Sequence, residues 1–343
     1  MIGGKVAMGT LYIDRKDIQV KLDGNALAFY TNGEREGMVP ITPLKRVVIV
    51  GNITLESSVL NKLADQGITV LFLSGRRGRF HGMLHGRLHN NGLLRIRQYE
   101  KSHSPFSLEY AVELVQSKVS GQTSLLKHAS QQRPDLRFSL TSAMNVLNTI
   151  HNKLSDLSVV PVSCAESREQ CDGETLFLQS LVGLEGSASA AYFSAYTKLF
   201  PPSLDFTGRN RRPPRDPVNA ILSLRYTMVH FETVSAIETI GLDPTIGFLH
   251  QFEYGRESLA CDLVETHRPM VDEFVWELFR ERSLTDRDFT YEKERSGCSL
   301  KKESRKRFYP WYETWAKGLR RHLVDAVRSL ARRIMDGENP LPE

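Results

Sequence analysis

The sequence predicts an α+β protein: a small β-rich domain over residues 1–90, followed by a larger all-α domain over 91–343. Two observations carry this. Up to about residue 85 the apolar residues come in short β-branched and aromatic runs separated by turn signals, the pattern of strands. From Leu93 to about Met335 they recur at helical spacing with few interruptions.

In chain order, "TLYID", "IQVKL", "ALAFY", "KRVVIV" and "ITVLFL" read as strands, with hairpin turns at Asp23-Gly24 and Asn32-Gly33. One helix interrupts them, "TLESSVLNKLADQG". Thr54 is its expected cap, Leu55, Val59, Leu60 and Leu63 form its apolar face, and Gly67 ends it. In the helical part, Pro161 to Asp172 reads as a connection. "FPPSLDFTGRNRRPPRDPVN" has too many prolines for a helix, and an irregular stretch of that length is usually functional or disordered.

Composition narrows the class. The chain is 41% hydrophobic, enough for a real core, and no apolar run reaches the roughly 18 residues that span a bilayer. The start, "MIGGKVAMGTLYIDRKD", lacks the apolar centre of a signal peptide, so the expectation is a cytoplasmic protein with no membrane partner. Cys164, Cys171, Cys261 and Cys298 show no CxxC spacing and read as free thiols. A net charge of +5 says little, but its distribution says more. Eleven Lys and Arg stand between Lys301 and Arg333 against Glu303, Glu313 and Asp325, and "GRNRRPPR" holds four arginines and no acid.

Three acids and a histidine carry the candidate chemistry. Behind Ser258, a plausible cap, Leu259, Ala260, Leu263 and Val264 make one helical face, and Asp262 and Glu265 lie about 60° apart on the other. That pair reads either as a solvated acidic face or as two metal ligands. His250, in the apolar "GFLH", is either a core histidine or a third ligand folded back by the turn at Gly255. Carboxylates with one imidazole suit Mg²⁺ or Mn²⁺ better than zinc. Glu185 is the sole charge in "FLQSLVGLEGSASAAYF". The small residues around it predict a thin helix closely packed by another, so this glutamate is expected to be at least partly buried and to need a partner, either an arginine or a cation. Tyr192 shares its face. The arginine-proline loop reads as a solvated connection or as phosphate contacts. The rings of Phe308, Tyr309, Trp311, Tyr312 and Trp315 read chiefly as core.

Together "LEGSASAAYF", "NRRPPRDPVNAILSLRYTMV" and "GFLHQFEYGRESLACDLVETHRP", in that order and spacing, resemble the spacer-acquisition integrases of CRISPR systems, the family of the first CRISPR-associated protein. The later "SLKKESRKRFYPWYE" fits it too. The resemblance implies an N-terminal β-sandwich that dimerises, a C-terminal helical catalytic domain, and a homodimer. Two such dimers would flank a small second CRISPR-associated subunit in a heterohexamer. It also implies a metal-dependent DNA integrase and endonuclease acting on double-stranded DNA, with a spacer precursor as donor and a repeat as target. Glu185, His250 and Glu265 match the metal ligands and Asp262 a further acid; Glu265 stands where many members have aspartate. Tyr192, Arg209, Arg211, Arg212, Arg215 and Arg256 fall where the family approaches DNA. A transposon-borne integrase of the same fold and a non-catalytic architectural DNA-binding protein are the competing readings.

Overall fold

The computed structural model describes residues 5–7, 9–74, 80–86, 91–158, 168–210, 213–250, 252–292 and 297–336. The chain divides into two units. The first comprises Met1–Asn90, Asp288–Thr290 and Ser299–Asp325, and the second Asn91–Arg287, Tyr291–Cys298 and Ala326–Glu343.

In the first unit β1 (Lys5–Ala7), β2 (Thr10–Ile13), β6 (Arg46–Val50), β8 (Thr69–Leu73) and β9 (Phe80–Leu84) form one sheet in that order. Its inner pairs β2·β6 and β6·β8 are parallel and its edges antiparallel. A second sheet has the order β5 (Glu34–Pro40), β4 (Ala26–Thr31), β3 (Gln19–Asp23), β7 (Thr54–Leu55). Alternate residues of both sheets, among them Leu11, Ile13, Val20, Phe29, Val47, Ile49 and Val70, meet in one interior with Val59 and Leu63 of helix α1 (Ser57–Asp65). This is a sandwich, with period-two alternation setting which side chains point in. Asn32 and Gly33 turn the β4–β5 hairpin with φ of 52° and 84°, as a type I′ turn requires. Thr54 does not cap α1. It pairs with Gln19 in β7, and the N-cap is Glu56, which makes no capping bond from its side chain.

Helix α8 (Lys302–Ile334) is counted in both units. The expectation that residues 91–343 form one helical domain is therefore corrected: most of this helix belongs with the sheets. Its apolar stripe explains why. Phe308, Tyr309 and Tyr312 are buried, the Tyr309 ring stacks on Tyr12 with centroids 4.1 Å apart, and buried Glu313 accepts from Thr10 (3.0 Å), Tyr12 (2.6 Å) and Arg320 (2.8 Å).

The second unit contains α2 (Gly92–Ser102), α3 (Pro105–Gln132), α4 (Arg137–Ser158), α5 (Arg168–Tyr196), α6 (Pro217–Ile240) and α7 (Ser258–Arg280). Helix α3 packs against α4, α5 and α7, and α7 against α6. Pro105 opens α3 at a position where the missing N–H costs nothing. Asp216 caps α6 by accepting from Asn219 N at 2.8 Å, and Gly241, φ 102°, ends it. Between α7 and α8 a two-stranded sheet, β10 (Phe289–Glu292) and β11 (Gly297–Leu300), stands in a region the sequence suggested was all-α with few interruptions. The expected connection 161–172 lies partly outside the described residues, and its last part is already helix α5. Cys261 and Cys298 are free thiols, while the side chains of Cys164 and Cys171 lie outside the description. Among the described residues no helix is long and apolar enough to cross a membrane.

Candidate metal centre and nucleic-acid interface

Glu185 on α5 and Glu265 on α7 come together on one cation, the ammonium of Lys118 on α3. Lys118 Nζ bonds Glu185 Oε1 and lies 2.7 Å from Glu265 Oε2. Lys118 and Glu265 keep only 6% and 9% of their side-chain surface, and Glu185 keeps 26%, so the glutamate of α5 is the open side of the cluster. Ser189, one turn on, donates to Glu185 Oε1 at 2.9 Å, and Arg268 holds Glu265 Oε1 at 2.8 Å. Burial works against ionising Glu265. The charges of Arg268 and Lys118, with a smaller contribution from His250, outweigh it and hold the carboxyl below its usual range.

The two acids of α7 are not a solvated face. Asp262 is fully buried, and Glu265 is 7% exposed. They serve different neighbours. Asp262 accepts the backbone N–H groups of Phe248 (2.6 Å), Leu249 (3.0 Å) and His250 (2.9 Å), and its Oδ1 stands 2.7 Å from His250 Nδ1. Gly247 permits this, because a Cβ there would lie 2.8 Å from Asp262 Oδ2 and from Ser258. A carboxylate spent on three amides and a ring nitrogen has little left for a metal, so the expectation of Asp262 as a ligand is corrected to that of a residue that orients the histidine. With Nδ1 engaged, His250 presents Nε2. A ligating histidine fixed through its other nitrogen by a carboxylate is the usual arrangement at metal centres.

Tyr192 does not reach Glu185. It is fully buried and donates to Asp272 Oδ2 at 2.9 Å, while Tyr226 bonds Asp272 Oδ1 and Tyr196 donates to the Asp272 carbonyl at 2.7 Å. Burial dominates Asp272 and pushes its pKa up to about 6 against the pull of the two tyrosine hydroxyls. Its position makes Tyr192 an interior residue, which corrects the expectation of a DNA contact. Arg209 is likewise turned inward, donating to Asn219 Oδ1 and the Asn210 carbonyl, each at 2.6 Å, with its guanidinium over the Tyr226 ring. Arg256 is half-buried and pairs with Glu253; Arg215 is exposed; Arg211 and Arg212 lie outside the described residues. Along α8, Arg305, Arg307, Arg320 and Arg333 pair with Asp14, Asp288, Glu313 and Glu113, leaving Lys317, Arg321, Arg328 and Arg332 among its exposed cations.

Sequence reasoning missed Lys118 and Arg268. Lys118 had a signal: it stands at helical spacing from Ala111, Leu114, Val115 and Gln122, all buried, so a charge interrupts an otherwise inward-facing stripe. Arg268 had only its spacing of three from Glu265.

Among the described residues no three acidic, histidine or cysteine side chains converge to ligate an ion as they stand, because Lys118 stands between Glu185 and Glu265 and Asp262 is spent on the loop. The donor chemistry nevertheless fits a divalent cation. Two carboxylates already share one positive charge, and an imidazole oriented by Asp262 is near enough for its charge to act on Glu265.

The family model described as CRISPR associated protein Cas1 matches residues 11–314. The CRISPR-associated endonuclease Cas1 of Thermodesulfovibrio yellowstonii is 50% identical over 329 residues, covering 96% of this chain and 98% of that one. A CAS1 protein from Thermotoga maritima superimposes with a TM-score of 0.77 at 21% identity, covering 98% of this chain and all of that one. A casposase bound to its integration product does so with 0.75 at 21%, covering 96% and 92%. At such identity the two structures speak for the fold. The family match and the 50% identity decide the rest: the chain belongs to the Cas1 family.

Proposed function

We propose that this Cas1 protein is a metal-dependent DNA integrase of CRISPR adaptation, joining the 3′-hydroxyl of a short duplex to a phosphodiester of a repeat. The supporting observation is the convergence of Glu185 and Glu265 on one buried cation; Asp262, one turn from Glu265 on α7, fixes His250. In the joining, the 3′-oxygen bonds to phosphorus, the bond from phosphorus to the departing 3′-oxygen breaks, and one proton passes from the incoming hydroxyl to the departing oxygen. No bond to the protein forms. Glu185, Glu265 and His250 Nε2 would hold Mg²⁺ or Mn²⁺, which when bound lowers the hydroxyl's pKa and stabilises charge on the phosphate. Arg268 fixes the Glu265 carboxylate, and Asp262 fixes His250 and the loop behind it. Exposed Arg215 and the arginines at 211 and 212 would contact phosphates, giving affinity and register rather than sequence choice. The homodimer, and the small second subunit that completes a heterohexamer, follow from the family resemblance and belong to the same proposal.

The test offers labelled duplex with free 3′-hydroxyls, the partner subunit and Mn²⁺ to a supercoiled plasmid with a leader and repeat, and to the same plasmid without them. Joining concentrated at the repeat is expected. Equal joining to both plasmids would contradict a CRISPR target and favour a transposon-like integrase.

A further inference from the structure

We propose that Lys118 is an internal counter-ion that competes with the divalent metal: its ammonium holds Glu185 and Glu265 together until metal and DNA phosphate arrive, and then passes from the carboxylates to a phosphate oxygen. The inference rests on the metal reading of that site.

Glu185 and Glu265 come from different helices, and nothing in either helix alone would hold their carboxylates side by side against mutual repulsion. Lys118, from a third helix, hydrogen-bonds Glu185 and pairs in charge with Glu265, its Nζ 2.7 Å from Oε2. Arg268 takes only the other oxygen of Glu265, and Ser189 adds a neutral hydroxyl to Glu185. The ammonium is thus the charge shared by the two acids. Lys118 is 5% exposed, so an ammonium that lost both carboxylates to a metal would be buried without an acceptor, an expensive state. Phosphate oxygens are the acceptors that a DNA substrate brings to the open, Glu185 side of the cluster. Metal and DNA should therefore bind with positive coupling that runs through Lys118, and the centre should hold metal weakly until substrate is present.

Mn²⁺ binding followed by the electron paramagnetic resonance of free ion, in wild type, Lys118→Gln and Glu185→Gln without DNA, tests this. Wild type should bind weakly, Lys118→Gln at least tenfold more tightly, and Glu185→Gln not detectably. Addition of duplex should tighten binding to wild type by more than it tightens binding to Lys118→Gln. Equal or weaker binding by Lys118→Gln, with Glu185→Gln still defective, would overturn the role of Lys118 alone. Mn²⁺ binding to Glu185→Gln as to wild type would instead overturn the metal reading. A second readout needs no folded variant: in ¹⁵N-lysine-labelled wild type, the slowly exchanging Lys118 ammonium signal should shift when Mg²⁺ and duplex are added together. A signal that stays in place while both bind would overturn the proposal.

Discussion

Asp262 and Glu265 are three residues apart on one helix, and helical geometry made them neighbours of equal standing. Their surroundings separate them. Asp262 faces the loop 248–250 and is consumed by its amides, whereas Glu265 faces Lys118 and Arg268. Spacing alone left the acids as either a solvated face or metal ligands, and the family resemblance, not their distance along the chain from His250, pointed to a site. Which one served the loop depended on the loop's return path, which one-dimensional periodicity does not encode. The path depends on Gly247. Gly247→Ala places a Cβ 2.8 Å from Asp262 Oδ2 and from Ser258, so it should cost about 1–3 kcal/mol, as overpacked interiors do, and weaken Mn²⁺ binding by displacing His250. Urea unfolding and an Mn²⁺ titration check both parts, and unchanged values would show that the loop relaxes. Asp272 gives a pH prediction. Its folded pKa of about 6 exceeds the ordinary unfolded value of about 3.9, so the folded state binds this proton more tightly. Its contribution to stability is fully present below the unfolded value and falls as pH rises to about 6, by at most about 3 kcal/mol, then stays level. Asp272→Asn should remove that part of the pH slope between 4 and 6, measured by urea unfolding at each pH.

Helices α3, α5 and α7 supply the charged cluster, and their packing was only half legible. The small residues of α5 suggested a close helix contact at Gly183 and Gly186. Both glycines are exposed, and a Cβ at either would meet nothing within 4 Å. The close approach lies instead between α3 and α7, where a Cβ on Gly121 would stand 2.9 Å from Cγ of Pro269. A single glycine within "SKVSGQTS" carried no sign of this, because the partner is a proline about 150 residues away. The two kinds of glycine should respond with opposite signs. Gly121→Ala should destabilise by about 1–3 kcal/mol, since the proline ring has little freedom to yield. Gly183→Ala or Gly186→Ala should stabilise by up to about 1 kcal/mol, the helix propensity gained without a clash. Thermal melts of the three variants decide it, and equal signs would contradict the packing described. Thr54 was misread for a related reason: a good capping residue was claimed by a strand, because pairing with Gln19 satisfies its backbone where a cap would not.

At the scale of the whole molecule, α8 shows how a chain-order reading of domains fails. Its aromatic stripe was read correctly as core, but it is the core of the N-terminal unit, reached only after helices α2 to α7. The same view separates the arginines. Arg209, paired inward, should when changed to alanine lower stability more than DNA affinity, whereas the double change of Arg211 and Arg212 to alanine should weaken DNA binding. If both contact phosphates, the slope of log affinity against log salt should fall by about 2, near 0.9 for each lost contact. An unchanged slope would remove that loop from the interface. The most direct measurement of the central claim is strand transfer of a short duplex into a repeat-bearing plasmid by wild type and Glu185→Ala, with Mn²⁺ or with EDTA. The account predicts joining only by wild type with metal, with the variant's thermal unfolding, and its DNA binding in EDTA, close to wild type. Joining by folded Glu185→Ala, or by wild type in EDTA, would contradict it.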